Sequence, residues 1–145
     1  MRGEVRILLV DDHALVRGAL AERLRREPGV TVVGCAGTAD EAVTGISTTQ
    51  PDVVLMDIDM PGMVCFDAVR HIARHWPHVR IIFLSAHTND CHIQEALEVR
   101  ARGYLTKRES LEQVIFAIRE VADGGAYFSQ DVRARIVVDA TGARL

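Results

Sequence analysis

Val53-Val54-Leu55-Met56-Asp57-Ile58-Asp59-Met60-Pro61-Gly62 is the stretch on which the reading of this chain turns. Four apolar residues, two of them β-branched, read as a short buried strand that ends on a carboxylate, and Met-Pro-Gly forces a turn behind it. Asp57 is therefore expected at the rim of a sheet. Groups at the carboxyl ends of strands, on loops that the scaffold holds still, are where α/β proteins place their chemistry.

Working outward, the chain alternates between strand and helix. Upstream, Val5 to Val10 reads as a strand, and Val16, Ala19, Leu20 and Leu24 recur at helical spacing until Pro28-Gly29. Val30 to Cys35 is a second strand. Thr38-Ala39-Asp40-Glu41 then forms a capping box for a helix with Ala39, Ala42, Val43 and Ile46 inward, which Pro51-Asp52 ends. Downstream, a helix burying Phe66, Val69, Ile72, Ala73 and Trp76 stops at Pro77, and Val79 to Ser85 follows as a fourth strand. A helix from about Asn89 to Arg100 has a thin apolar face, Ile93, Ala96 and Leu97, and Gly103 to Lys107 is a short strand. Ser110-Leu111-Glu112-Gln113 caps the cleanest amphipathic helix, which carries Leu111, Val114, Ile115, Ile118, Val121 and Ala122 before Gly124-Gly125. Five strands alternating with five helices imply a parallel sheet with right-handed crossovers and helices on both faces, a doubly wound α/β domain. The compact unit is expected over residues 1–125. Residues 126–145 read as a tail or linker, with a short helix around Asp131 to Val138.

Composition fits this picture and excludes others. A chain of 145 residues can bury roughly 68–70% of its unfolded surface, so one core suffices without disulfide or metal staples. Charged residues make up 26% and apolar ones 48%, and no apolar run approaches the roughly 18 residues of a membrane span. No leader pattern precedes the first strand, and the chain is read as cytoplasmic. Cys35, Cys65 and Cys91 are widely spaced and odd in number, as suits reduced thiols. A net charge of −3 argues against nucleic-acid binding by this chain itself.

On that scaffold Asp11 and Asp12 follow the first strand, Asp57 ends the third, Ser85 the fourth and Lys107 the fifth, all on one rim. Three carboxylates brought together repel one another, and a hard divalent cation such as Mg²⁺ neutralises them while accepting phosphate oxygens. A carboxylate can attack phosphorus to form an acyl phosphate if a metal, an ammonium and a hydroxyl absorb charge on the equatorial oxygens. Asp57, Mg²⁺, Lys107 and Ser85 fit those roles.

Leu9-Val10-Asp11-Asp12-His13, the segment from Leu55 to Gly62, Ser85-Ala86 and Gly103-Tyr104-Leu105-Thr106-Lys107 closely resemble the receiver domain of two-component response regulators, most of all the NarL/FixJ (LuxR-type) branch. The resemblance covers about residues 4 to 125. It implies a flavodoxin-like (βα)5 fold with strand order 2-1-3-4-5, and a signalling receiver rather than an enzyme on other substrates. By motif, Asp57 is the acceptor of phosphate from a sensor histidine kinase. Asp12 is a direct Mg²⁺ ligand, Asp11 a water-mediated one, and Asp59 a ligand through its backbone carbonyl. Ser85 and Lys107 contact the phosphoryl group, and Tyr104 matches an aromatic that changes rotamer on activation. Homodimerisation and DNA binding through a helix-turn-helix domain outside this chain are implied in the same way, the output being transcription.

Two departures stand out. Met63-Val64-Cys65 replaces the Met-Asp-Gly that commonly follows Met-Pro-Gly, and Glu98-Val99-Arg100-Ala101-Arg102-Gly103 stands where the family often has a small turn containing Gly and Ala. Asp59 and His87, two residues past Asp57 and Ser85, are expected to flank the phosphoryl group, with His87 limiting water access. Asp57-Ile58-Asp59 also resembles the Asp-x-Asp of haloacid-dehalogenase-type phosphatases, but a strand-helix pair precedes it and Pro61 occupies the place of the expected Thr or Val. A degenerate, phosphate-independent receiver would lack the acceptor, the Lys or the acidic pair, and all are present. His71, His75 and His78 have metal-like spacing without a carboxylate partner and read as solvated histidines, as do His87 and His92 beside Cys91.

Overall fold

The computed structural model describes residues 4–59, 65–86, 89–139 and 142–144. Five β-α units follow one another: β1 (Val5–Val10), α1 (Ala14–Arg25), β2 (Val30–Ala36), α2 (Ala39–Thr49), β3 (Val53–Asp57), α3 (Cys65–His75), β4 (Arg80–Ser85), α4 (Asp90–Glu98), β5 (Gly103–Thr106) and α5 (Leu111–Ala122). After them come β6 (Tyr127–Phe128), α6 (Gln130–Arg133) and the antiparallel pair β7 (Val137–Asp139) and β8 (Gly142–Arg144). The main sheet is parallel throughout, in the order β2-β1-β3-β4-β5-β6. It has the expected order with one short strand added.

Strand β3 is buried at all five positions, as a central strand covered on both faces must be. Side-chain alternation along the strands divides the core in two. Leu8, Val54, Met56, Phe83 and Tyr104 pack with α2, α3 and α4 residues such as Ile46, Ile72 and Ile93. Ile7, Leu55, Ile82 and Leu105 pack with α1 and α5 residues such as Leu24, Val114 and Ile118. The third helix is narrower inward than its spacing implies: Phe66, Val69 and Ile72 are buried, Trp76 is half-buried and Ala73 is exposed. On α1 the buried residues are Ala21 and Leu24, while Val16 is exposed and Leu20 half-buried, because this short face meets the sheet only at its carboxyl half.

The caps are those expected from hydrogen-bonding side chains. Thr38 accepts from the Glu41 amide at 3.1 Å, and the Glu41 carboxylate accepts from the Gly37 amide at 2.8 Å, one residue before the position a capping box would use. Ser110 accepts from the Gln113 amide at 3.2 Å, and Asn89 from the amides of Cys91 and His92 at 2.9 and 3.3 Å.

Beyond residue 125 the chain continues the fold. Strand β6 pairs with Gly103 and Tyr104, Val132 of α6 is fully buried, and Ser129 is buried beside it. Ser129 Oγ accepts from the Thr106 amide at 2.9 Å and its own amide donates to the Tyr104 carbonyl at 3.0 Å. Gly103 makes the approach of β6 feasible, since a Cβ there would lie 2.9 Å from the Tyr127 carbonyl oxygen. The expected helix over residues 131–138 is a single turn, Gln130–Arg133, followed by strand from Val137.

Candidate functional site

The loop after β1, the ends of β3 and β4 and the turn after β5 converge on Asp57. Its side chain is fully buried at the last position of β3. Oδ1 accepts from the Asp59 amide at 2.9 Å, closing a local turn. Oδ2 lies 3.2 Å from Lys107 Nζ, yet it is a buried oxygen with no partner in hydrogen-bond geometry. Burial pushes the Asp57 carboxyl above its ordinary pKa; the Asp59 amide opposes this, the Asp11 charge adds to it, and Lys107 opposes it again.

Asp11 and Asp12 follow β1 as expected, but in unequal environments. Asp11 is buried, and its Oδ1 accepts from the His13 amide at 2.8 Å, whereas Asp12 is partly exposed. Arg17 donates to the Asp11 carbonyl and ties the loop to α1. Single ligand atoms of Asp11, Asp12, His13 and Asp57 all lie within 4.8 Å of one another, a grouping that a divalent cation can satisfy. The Asp57 Oδ2 without a partner in hydrogen-bond geometry, grouped with the carboxylates of Asp11 and Asp12, fits a hard ion, His13 being the one nitrogen donor of the group. His13 was not singled out from the sequence. Its Nδ1 lies 3.3, 3.1 and 4.0 Å from oxygens of Asp11, Asp12 and Asp57; the Asp-Asp-His run was the available signal.

Ser85 is fully buried at the end of β4. Its Oγ donates to Asp59 Oδ1 at 3.2 Å, and the Ala86 amide donates to Asp59 Oδ2 at 2.6 Å. The Asp59 carboxylate is thus turned to the Ser85 hydroxyl and the Ala86 amide, and its contact with Ser85 is invisible in the sequence because it joins residues 26 positions apart. Tyr104 is fully buried beside Phe83, and its hydroxyl lacks a partner in hydrogen-bond geometry. Burial raises the phenol above its ordinary pKa, and the adjacent Ser85 hydroxyl opposes the rise. Cys65 packs its Sγ 3.6 Å from the Asp57 carbonyl oxygen, and burial with the Asp57 charge pushes its thiol up to about 12, so it is protonated and unreactive. Met60, Pro61, Gly62, Met63, Val64 and His87 lie outside the described residues. His71 and His75 stack on the exposed face of α3, far along the chain from the acids, and among the described residues they join no metal-binding group.

Comparison with known proteins accords with this geometry. The sequence profile described as the response regulator receiver domain matches residues 7–119. The chain is 38% identical over 134 residues to the response regulator UvrY of Escherichia coli (strain K12), and 34% identical over 134 residues to the response regulator GacA of Pseudomonas viridiflava. Each alignment covers 92% of this chain but 62% and 63% of the relative, so the chain spans about three-fifths of their length. The crystal structure of a two-component response regulator of the LuxR family from Aurantimonas sp. SI85-9A1 superposes with a TM-score of 0.85 at 34% identity, covering 91% of this chain and 94% of that one.

Proposed function

The chain belongs to the response regulator receiver family, and on that premise we propose that Asp57 accepts a phosphoryl group from a phosphohistidine of a sensor kinase. A carboxylate oxygen of Asp57 forms the new O–P bond as the P–N bond to the donor breaks. The observation that carries this is the buried, unbonded Asp57 Oδ2 beside Lys107 Nζ and the carboxylates of Asp11 and Asp12. Bound Mg²⁺ would offset the carboxylate charge and polarise the phosphoryl oxygens. Asp12 and Asp57 would hold it directly, Asp11 through water, and Asp59 through its backbone carbonyl. Lys107 steadies the transferred oxygens, and Ser85 leaves Asp59 to bond one of them. Tyr104, packed beside Ser85, carries the change into β5. On this reading the chain catalyses its own phosphorylation and dephosphorylation and no other reaction.

Partners follow from the same reading. Leu15, Val16 and Leu111 are exposed, Leu15 to 90%, and Val16 and Leu111 line a groove with Lys107. This apolar flank beside the acceptor is where the kinase docks. Residues 1–125 act as the phosphoacceptor domain, with Tyr127–Arg133 packed on its edge, and the rest of 126–145 leads toward a helix-turn-helix domain through which a longer protein binds DNA and regulates transcription, as a homodimer when phosphorylated. No helix among the described residues is long and apolar enough to cross a membrane, and the cytoplasm, where kinases have ATP, is the compartment this role requires.

The experiment is mass spectrometry after treatment with acetyl phosphate and Mg²⁺. One phosphoryl group is expected, abolished by chelator and by Asp57→Asn. Labelling that survives either treatment overturns the assignment.

A further inference from the structure

At the opposite ends of β4 and β5 from Asp57, helix α3, the start of β4 and the turn leaving α4 enclose a cavity of about 350 Å³, within the range that small-molecule sites occupy. Ile72, Val79 and Val99 give it an apolar floor, and Arg80, Arg100 and Arg102 stand in its walls. Arg100 and Arg102 are exposed and Arg80 half-buried, so three like charges line one cleft, an arrangement that an anion lying among them would favour. Among the described residues no carboxylate forms an ion pair with any of the three. Asp52, whose carbonyl accepts from the Arg80 amide, has its carboxylate on the Arg6 amide at 2.9 Å, and of the acids that precede Arg100 on α4, Glu95 lies 3.5 Å from Arg70 and Glu98 accepts from Gln94 at 3.3 Å. Arg102 donates one N–H to the Gly124 carbonyl at 2.9 Å and keeps other donors for the cleft.

The backbone at Arg100 fixes where that residue stands. Helix α4 closes with the Arg100 amide on the Leu97 carbonyl and the Ala101 amide on the Ala96 carbonyl, both at 3.0 Å, and Arg100 has φ of 62°. That helix ending ordinarily takes glycine at the left-handed residue. The same left-handed ending closes α2 at Gln50, and at Arg100 it sets the residue on the wall of the cleft.

We propose that this cleft binds a small amphipathic anion, a carboxylate or phosphate monoester on a compact apolar body. Arg80, Arg100 and Arg102 take the head group through forked hydrogen bonds, and the floor receives the body. The site is separate from Asp57 and does not depend on phosphorylation.

The test follows backbone amides by NMR while the full chain is titrated with 1-naphthyl phosphate in the presence of chelator, with inorganic phosphate and 1-naphthol as half-molecule controls. Shifts are expected at residues 79–81 and 99–102, with each control binding at least tenfold more weakly. Arg100→Gly is expected to lower affinity at least tenfold without lowering the melting temperature, because glycine adopts the same φ without strain. Should that variant fold poorly, Arg80→Gln provides the same affinity comparison. Equal binding of inorganic phosphate would mean an adventitious ion only, and equal binding of naphthol an apolar contact only. Shifts centred on Asp11, Ser85 and Lys107, or undiminished affinity in the arginine variants, would equally overturn the proposal.

Discussion

Asp57→Asn should stabilise the protein at neutral pH when divalent cations are chelated, although it removes the partner of Lys107. The Asp57–Lys107 attraction at 3.2 Å is worth about 5 kcal/mol gross at an effective dielectric near 20. Against it stands a burial penalty of several kcal/mol per ion, increased by Asp11. The net direction is given by the carboxyl itself, whose pKa lies above its ordinary value, with burial as the largest cause. Replacing a charge that burial penalises by a neutral isostere is expected to gain about 1–2 kcal/mol, or roughly 3–7 °C in Tm. Asparagine keeps an oxygen to accept from the Asp59 amide, so the turn survives. The pH dependence has a definite sign. In the unfolded chain the carboxyl titrates near 3.8; between that value and the raised one the folded state holds more protons, so wild-type stability falls as pH rises through the window. Below 3.8 the carboxyl is protonated in both states and the advantage of asparagine fades. Thermal unfolding from pH 4 to 8 in chelator measures this directly. Added Mg²⁺ should reverse the order, since saturation to 100 times Kd stabilises the wild type by about 2.7 kcal/mol and the variant by less. A variant less stable than wild type at pH 7.5 in chelator, or a gain of the same size at pH 4, would refute the balance drawn here.

Ser85→Ala should leave labelling of Asp57 largely intact while weakening the conformational response, because the hydroxyl that we propose exchanges Asp59 for phosphate is gone; amide shifts around Tyr104 on phosphorylation should shrink, and wild-type shifts would place the coupling elsewhere. Ser129→Ala leaves the buried Thr106 amide without its 2.9 Å acceptor and should cost about 1–3 kcal/mol, read as a lower urea midpoint and faster amide exchange over residues 103–106.

The strands were legible because each is an apolar run bounded by turn residues, and β3 is apolar enough to be buried on both faces. Caps at Thr38 and Ser110 were legible because capping is local, and the Asn89 cap, equally local, went unread. Asp11, Asp12, Asp57, Ser85 and Lys107 follow from strand ends plus topology, which brings one rim together. What sequence could not display is pairing across the fold. Asp59 holding Ser85, and Ser129 holding Thr106, depend on side chains meeting over 26 and 23 positions. The continuation through Tyr127–Arg133 was equally hidden: a two-residue strand and one helical turn carry almost no periodicity, and Val132 is buried by its neighbours' placement rather than by a pattern of its own.

The short β6 and the Ser129 clip also bear on solubility. A parallel sheet that stopped at β5 would present a row of free amides and carbonyls to any other extended chain, an invitation to intermolecular strand addition and aggregation. Here the Tyr127 amide takes the Arg102 carbonyl, the Ser129 amide takes the Tyr104 carbonyl, and the Ser129 hydroxyl takes the Thr106 amide. Because β6 has only two residues before it turns into α6, it offers little template of its own. At the far side, the β1–β2 pairing slips register between Ile7 and Leu8, which bends the outermost strand away from a flat ribbon. A chain cut after Gly125 would keep every residue of the acidic rim and expose the margin of β5, so its failing would be stickiness at high concentration rather than loss of the phosphoacceptor.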